Sequence, residues 1–195
     1  MQTVHHILGL HSSVVIKYLD DLASTSSDIC VAFVYCRYTE PMSVRDILLA
    51  LVRQLLERYP YLLPIVEPMY QKHTLHNTKP DQSELVDAIR HICRQFRVAL
   101  FSIVGLDEAL YDEQFDLLET LSSVQANFII TSRPLVRLKD VLPNAQFFEI
   151  AAEEGDIELL VSQHIDRSPD LLQILNSEEE RGQVIKKICE SSQGM

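Results

Sequence analysis

The sequence predicts an α/β fold built on a parallel sheet, and two observations predict it. Residues 30–36 (CVAFVYC), 98–104 (VALFSIV) and 127–132 (NFIITS) are short runs dominated by apolar residues, as strands covered on both faces must be. Between them lie segments whose apolar residues recur at helical spacing. Strands alternating with helices imply parallel pairing through right-handed crossovers, and hence three layers.

The elements follow in order. Residues 12–23 open with Ser12 and Ser13, either able to cap, and continue with Val14, Val15, Ile16 and Leu19 on an apolar face. The strand 30–36 comes next. Ser43 with Asp46 three residues on opens a helix over 43–58, carried by Ile47, Leu48, Leu51, Val52, Leu55 and Leu56. Pro60, Pro64, Pro68 and Pro80 then predict short turns and a surface excursion rather than a long helix. Ser83 is the expected cap of a helix over 84–96, with Leu85, Ile89, Ile92 and Phe96 inward. After the strand 98–104, a helix over 112–123 turns Phe115, Leu118 and Leu121 to the core. The strand 127–132 and a short strand over 146–150 follow, and then helices over 155–166, 169–176 and 180–192. Residues 1–150 are expected to form the α/β core and 151–195 the start of a helical part of the same module.

Composition narrows the function classes. A net charge of −11 argues against nonspecific nucleic-acid binding, because the phosphates would be repelled. Arg90, Arg94 and Arg97 are spaced as a solvated helix face. The cysteines Cys30, Cys36, Cys93 and Cys189 lack C-x-x-C spacing, so buried free thiols in a reducing compartment are expected. The first ten residues lack the pattern of a signal peptide, and no apolar run has the length of a membrane span. The expectation is a cytoplasmic protein with no membrane partner. His73 and His76 sit in a Pro-rich stretch without an acidic or Cys partner nearby in sequence, and adjacent His5 and His6 would diverge on a strand, so no metal site is expected.

The residues that carry chemistry are the strand ends. Val98–Glu108 reads as a buried strand ending in an acidic loop, and Asn127–Pro134 as a second strand ending in a polar turn. Ser12–Leu19 (SSVVIKYL), Val31–Cys36 (VAFVYC), Leu48–Leu55 (LLALVRQL), Gly105–Glu108 (GLDE), Thr131–Pro134 (TSRP), Asp156–Val161 (DIELLV) and Ser192–Met195 (SQGM) occur in one order across the chain. That ordered set resembles the NACHT domain of STAND-class P-loop NTPases, in the nephrocystin-like form common in large fungal proteins with ankyrin or WD repeats. The resemblance implies a three-layer P-loop NTPase-like sheet, ATP or GTP with Mg²⁺ as cofactor, and a signalling role set by flanking domains. It implies a water- or metal-positioning role for Asp107 and Glu108, a terminal-phosphate sensor at Arg133 and a weaker contact at Ser132. A solvated loop and an ordinary turn are the plain alternatives for those positions.

The departures from the family pattern decide the expectation. A P-loop presents G-x-x-x-x-G-K followed by Ser or Thr to the phosphates. Here Leu8 stands where the family has Lys and Gly9 where it has Thr or Ser, with no glycine-rich loop before them, and Val104 replaces the Mg²⁺-binding Asp. Three lost polar contacts at ~1.5–3 kcal/mol each remove several kcal/mol, out of about 8 kcal/mol for a micromolar site. The chain is therefore expected not to bind ATP or GTP usefully, and to act through protein partners or other domains of a longer chain. A fragment of a working NTPase and an interaction scaffold without nucleotide are the alternatives. The strand that feeds the phosphate loop is expected to be missing, or shortened to residues 3–7. If it is missing, the sheet has an open edge able to self-associate.

Overall fold

The computed structural model describes residues 3–135, 138–148, 150, 154–175 and 177–192; side chains are described from Ser13 onward, apart from Glu154 and Ser192. The chain forms two compact units, Met1–Asn144 and Ala145–Met195.

In the first unit, strands β1 (Ile29–Tyr35), β2 (Val98–Val104) and β3 (Asn127–Thr131) form a parallel sheet in the order β1-β2-β3. Ile29 lies opposite Val98, and Leu100 opposite Asn127. The helices are α1 (Thr3–Thr25), α2 (Val44–Arg58), α3 (Leu63–His76), α4 (Gln82–Cys93), α5 (Tyr111–Ser122) and the short α6 (Leu138–Val141).

Strand periodicity sorts the side chains to two faces. Ala32, Val34, Phe101 and Ile103 join a large core with Ile47, Leu48, Leu51 and Leu55 of α2, Leu85, Ile89 and Ile92 of α4, and Leu117, Leu118 and Leu121 of α5. On the opposite face Val31 packs with Leu19 and Ala23 of α1. The sheet is thus the middle of three layers, as the apolar strands predict. The α2 start is also as predicted: Ser43 Oγ accepts from the Asp46 backbone N–H, and the Asp46 carboxylate accepts from the Ser43 N–H, a reciprocal cap.

Five expectations are corrected. Residues 3–7 are not a strand: they open α1, whose helix runs unbroken through Ser12 and Ser13, so neither serine is a cap. Five consecutive β-branched or imidazole residues suggested a strand, but their backbone continues the helix that follows. The Pro-rich stretch holds a 3-10 turn at Pro60–Leu62 and then α3. Pro60 and Pro64 sit in first turns, where the N–H has no helical partner to lose, so only Pro68 interrupts the ladder. α4 is capped by Asp81, not Ser83, because Glu84 completes the reciprocal cap from its third position. Residues 146–148 and 150 form no strand; Phe147, Phe148 and Ile150 are exposed, and Glu149 lies outside the described residues. Finally, α4 ends at Cys93 with exposed Arg94 as its C-cap, its N–H on Arg90 O, so only Arg97 lies beyond the helix face; the Arg97 N–H donates to Asp28 O instead.

The α3–α4 junction is held by polar groups. Glu84 accepts from Lys72 Nζ at 2.5 Å and pairs with His73 Nε2 at 2.8 Å, while His73 Nδ1 meets Thr78 Oγ1 at 2.7 Å. Sequence reading left His73 without an acidic partner; the turn at Asn77, in the left-handed region at φ 49°, brings Glu84 to it. The Lys72 ammonium, the Asp81 N–H and His73 hold the Glu84 carboxyl down at about 2. A depressed carboxylate contributes stability above its unfolded value, and that contribution fades as pH falls toward the folded value. The window here lies between about 4.5 and about 2. Acid titration of unfolding should show wild type losing more stability through that window than Glu84→Gln; parallel curves would contradict the assignment.

The outer edge of β1 is covered by side chains at Phe33 and Ile29. The Phe33 N–H donates to Gln54 Oε1 at 3.1 Å, and Gln54 Nε2 donates to Phe33 O at 2.6 Å. Tyr59 Oη donates to Ile29 O at 3.1 Å. Gln54 thus takes the place of a strand residue along the edge. Arg58 also pairs with Asp20, tying α2 to α1.

The second unit holds α7 (Glu154–Arg167), α8 (Pro169–Ile174) and α9 (Glu178–Ser192), near their predicted ranges. Ile165 and Cys189 are its buried apolar side chains among the described residues. Arg181 reaches Asp166 at 3.6 Å and donates to Leu175 O at 3.0 Å. Among the described residues of the chain, no helix is long and apolar enough to cross a membrane.

Candidate functional site

The chemistry-bearing residues gather at the C-terminal ends of the three strands. This follows from parallel topology, which delivers every strand's exit to one rim. β2 ends at Val104, which is buried, and the chain turns at Gly105 in the left-handed region, φ 73° and ψ 46°. The Gly105 N–H donates to Thr131 Oγ1 at 3.2 Å, joining the ends of β2 and β3. Leu106–Glu108 then form one 3-10 turn, and the Glu108 N–H donates to Gly105 O at 2.9 Å.

That turn aims Asp107 at the next strand's exit. Asp107 Oδ2 lies 3.2 Å from Arg133 Nε, and Asp107 Oδ1 accepts the Arg133 backbone N–H at 3.1 Å. Asp107 is largely buried, its side chain 11% exposed, while Arg133 is 45% exposed. The two residues singled out as relic acid and relic sensor are therefore joined to each other, and both oxygens of the carboxylate are engaged. Ser132 Oγ donates to Arg133 O at 2.6 Å, so its proton is turned into the local turn. Glu108 is half-buried beside Gly105: a Cβ added to Gly105 would lie 3.6 Å from the Glu108 carboxyl and 3.3 Å from Cys36 O.

Cys36 closes the third side. Its N–H donates to Val104 O at 2.8 Å. Burial pushes the Cys36 thiol up to about 11, and Glu108 and Asp107 add to the rise. Cys30 and Cys93 are likewise raised, to about 12 and about 11, chiefly by burial. All four cysteines are buried and outside any disulfide, as predicted. A thiol held so far above neutral pH is a poor nucleophile.

Two residues at this rim escaped sequence reading. Glu113 Oε2 accepts the Val44 N–H at 2.7 Å, so α5 supplies an acid to the N-terminus of α2. Gln114 is buried on α5 and donates through Nε2 to Ala109 O at 2.7 Å and Asp107 O at 3.4 Å. Its Oε1 has no partner among the described residues. The only sequence signal was a Gln one turn before the Leu117–Leu118 pair, on the inward stripe.

At this rim Asp107 is paired with Arg133, the Ser132 hydroxyl is bonded within its turn, and the open end of α2 is closed by Asp46 and Glu113. Among the described residues no group of His, Cys, Asp and Glu is arranged to hold a metal ion.

Comparison with known proteins gives a family. No curated protein and no solved structure matches the chain. The family model described as Nephrocystin 3, N-terminal, matches residues 10–133, well over half of the chain. The match runs from α1 through all three strands to Arg133. This chain belongs to the nephrocystin 3 N-terminal family.

Proposed function

We propose that this chain is a NACHT-type regulatory module of the STAND class whose nucleotide site is degenerate, and that it acts by protein contacts rather than by ATP or GTP hydrolysis. The observation that carries the reading is the Asp107–Arg133 pair. A second-motif acid that positions water or metal needs a free oxygen. Here both Asp107 oxygens are engaged by Arg133, Oδ2 by Nε at 3.2 Å and Oδ1 by the backbone N–H at 3.1 Å.

Two further features support it. Residues 7–11, which the family resemblance places at the phosphate loop, are inside α1. Beyond the first four residues of a helix, backbone N–H groups are bonded to carbonyls one turn back and cannot cradle a phosphate. Val104, at the Mg²⁺ position of the resemblance, is a buried apolar side chain. The residues present do not fit a Mg²⁺-nucleotide, and no catalytic step is assigned to one.

Titration calorimetry of this chain with Mg²⁺-ATP and Mg²⁺-GTP should show no binding tighter than about 1 mM, since the lost contacts remove roughly half of a micromolar site's free energy. A dissociation constant below about 10 μM would overturn the reading. In that case Asp107→Asn should weaken binding, which would make the chain a working nucleotide switch.

A further inference from the structure

We infer that the outer edge of β3 is an interface for a second copy of this chain, whose own β3 adds antiparallel to it with the two-fold axis at Ile129. The argument begins with which backbone groups face outward. In a parallel pair, a residue directs both its N–H and C=O to the same neighbour, and the direction alternates along the strand. The Cys36 N–H donates to Val104 O, so even-numbered residues of β1 and β2 face each other. The odd-numbered residues of β1 face out, which is where Gln54 and Tyr59 meet Phe33 and Ile29. The odd-numbered residues of β2 then face β3. With Phe101 opposite Phe128 and Ile103 opposite Ile130, β3 turns Asn127, Ile129 and Thr131 toward β2. Phe128 and Ile130 present their backbone groups to the open edge.

That pattern is self-complementary. Antiparallel pairing centred on Ile129 sets Phe128 of one copy opposite Ile130 of the other, twice. Each such pair exchanges both N–H···O bonds, so all four outward groups on each copy are satisfied in one register. Two aromatic–β-branched cross-strand pairs form on one face, and the two Ile129 side chains meet on the other. The half-buried Phe128, Ile129 and Ile130 each pack against their own core and remain partly open to such a neighbour.

The charges permit this at β3. No residue from Val124 to Ser132 is charged, so no like charges meet at the seam although each copy carries −11. The long-range repulsion is screened by salt, so association tightens as ionic strength rises. Shape selects β3 over β1, whose Phe33 groups are already taken by Gln54.

The test uses the full 195-residue chain. Sedimentation equilibrium should show a monomer–dimer equilibrium with a dissociation constant of about 1–100 μM, as a small interface predicts. Ile130→Pro removes an N–H that faces outward and has no bond among the described residues, a placement proline tolerates on an edge strand. It should weaken dimerisation at least about tenfold, since two hydrogen bonds are lost across the axis. Ile129→Cys should cross-link as a disulfide dimer under mild oxidation, because opposed residues at that position lie about 4.5 Å apart at Cα. If Ile130→Pro fails to fold, the Ile129→Cys cross-link decides alone. A wild-type chain monomeric at about 200 μM, a dimer that persists in folded Ile130→Pro, or Ile129→Cys that does not cross-link would each overturn the inference.

Discussion

Phe101→Ala lowers the free energy of unfolding by about 3–5 kcal/mol, the usual range for an aromatic removed from a packed core. Phe101 is fully buried at the middle of the central strand. Its ring centroid lies 5.6 Å from that of Phe128 at an interplanar angle of 63°, so truncation also removes an edge-to-face contact. The cavity would open between the sheet and the α2–α4–α5 layer, where Leu48, Leu51 and Ile89 are fully buried and have little room to close it. A domain's whole stability is about 5–15 kcal/mol, so the variant should be close to unfolding. Urea denaturation followed by circular dichroism measures the difference. A loss under about 1.5 kcal/mol would mean that β2 is not the centre of the core.

Gly105→Val is the second large effect, about 2–3 kcal/mol. Gly105 holds φ 73°, which a β-branched residue reaches only with strain. Its Cβ would stand 3.3 Å from Cys36 O, a backbone atom fixed by the β1–β2 pairing. Relief requires the acidic turn to swing away, which would pull Asp107 from Arg133 and the Gly105 N–H from Thr131. Gly105→Asn is the control, since Asn enters the left-handed region at low cost. Thermal unfolding should rank wild type above Asn and Asn well above Val. Equal destabilisation by Asn and Val would assign the cost to volume instead of backbone conformation.

Local signals carried much of the fold. Val98–Val104 was legible because a run of seven residues with no charge leaves little alternative to a buried strand. Ser43 with Asp46 was legible because a reciprocal cap is complete within four residues. Asp81 was missed because Ser83 offered an equally good cap by composition, and the choice was made by Glu84. The stretch 59–82 failed for a related reason: a proline count ignores position, and two of the prolines fall where helices accept them. Residues 3–7 and 146–150 read as strands by composition, yet a strand exists only if a neighbour pairs with it, and composition does not supply neighbours.

The site divides along the same line. Asp107, Glu108, Arg133 and Ser132 could be singled out, since each stands at the end of an apolar run. That Asp107 and Arg133 occupy one another could not, because the contact spans β2, α5 and β3. Glu113 on Val44 and Gln54 on Phe33 were invisible for the same reason: a carboxylate and an amide on helices look like solvated residues until the packing direction is known.

The Gln54 amide has a consequence for how large an assembly can become. A sheet with two bare edges has a valence of two and can polymerise without limit. With Phe33 matched by Gln54 and Ile29 O by Tyr59, β1 is obstructed at two points, and each molecule then keeps one pairing edge, the β3 edge inferred to dimerise. Whatever strand joins at β3, a second copy brings its own stopped end, so growth terminates at a closed pair instead of a filament. On that inference, two side chains, Gln54 within α2 and Tyr59 at its C-cap, would separate a finite complex from an open-ended fibre.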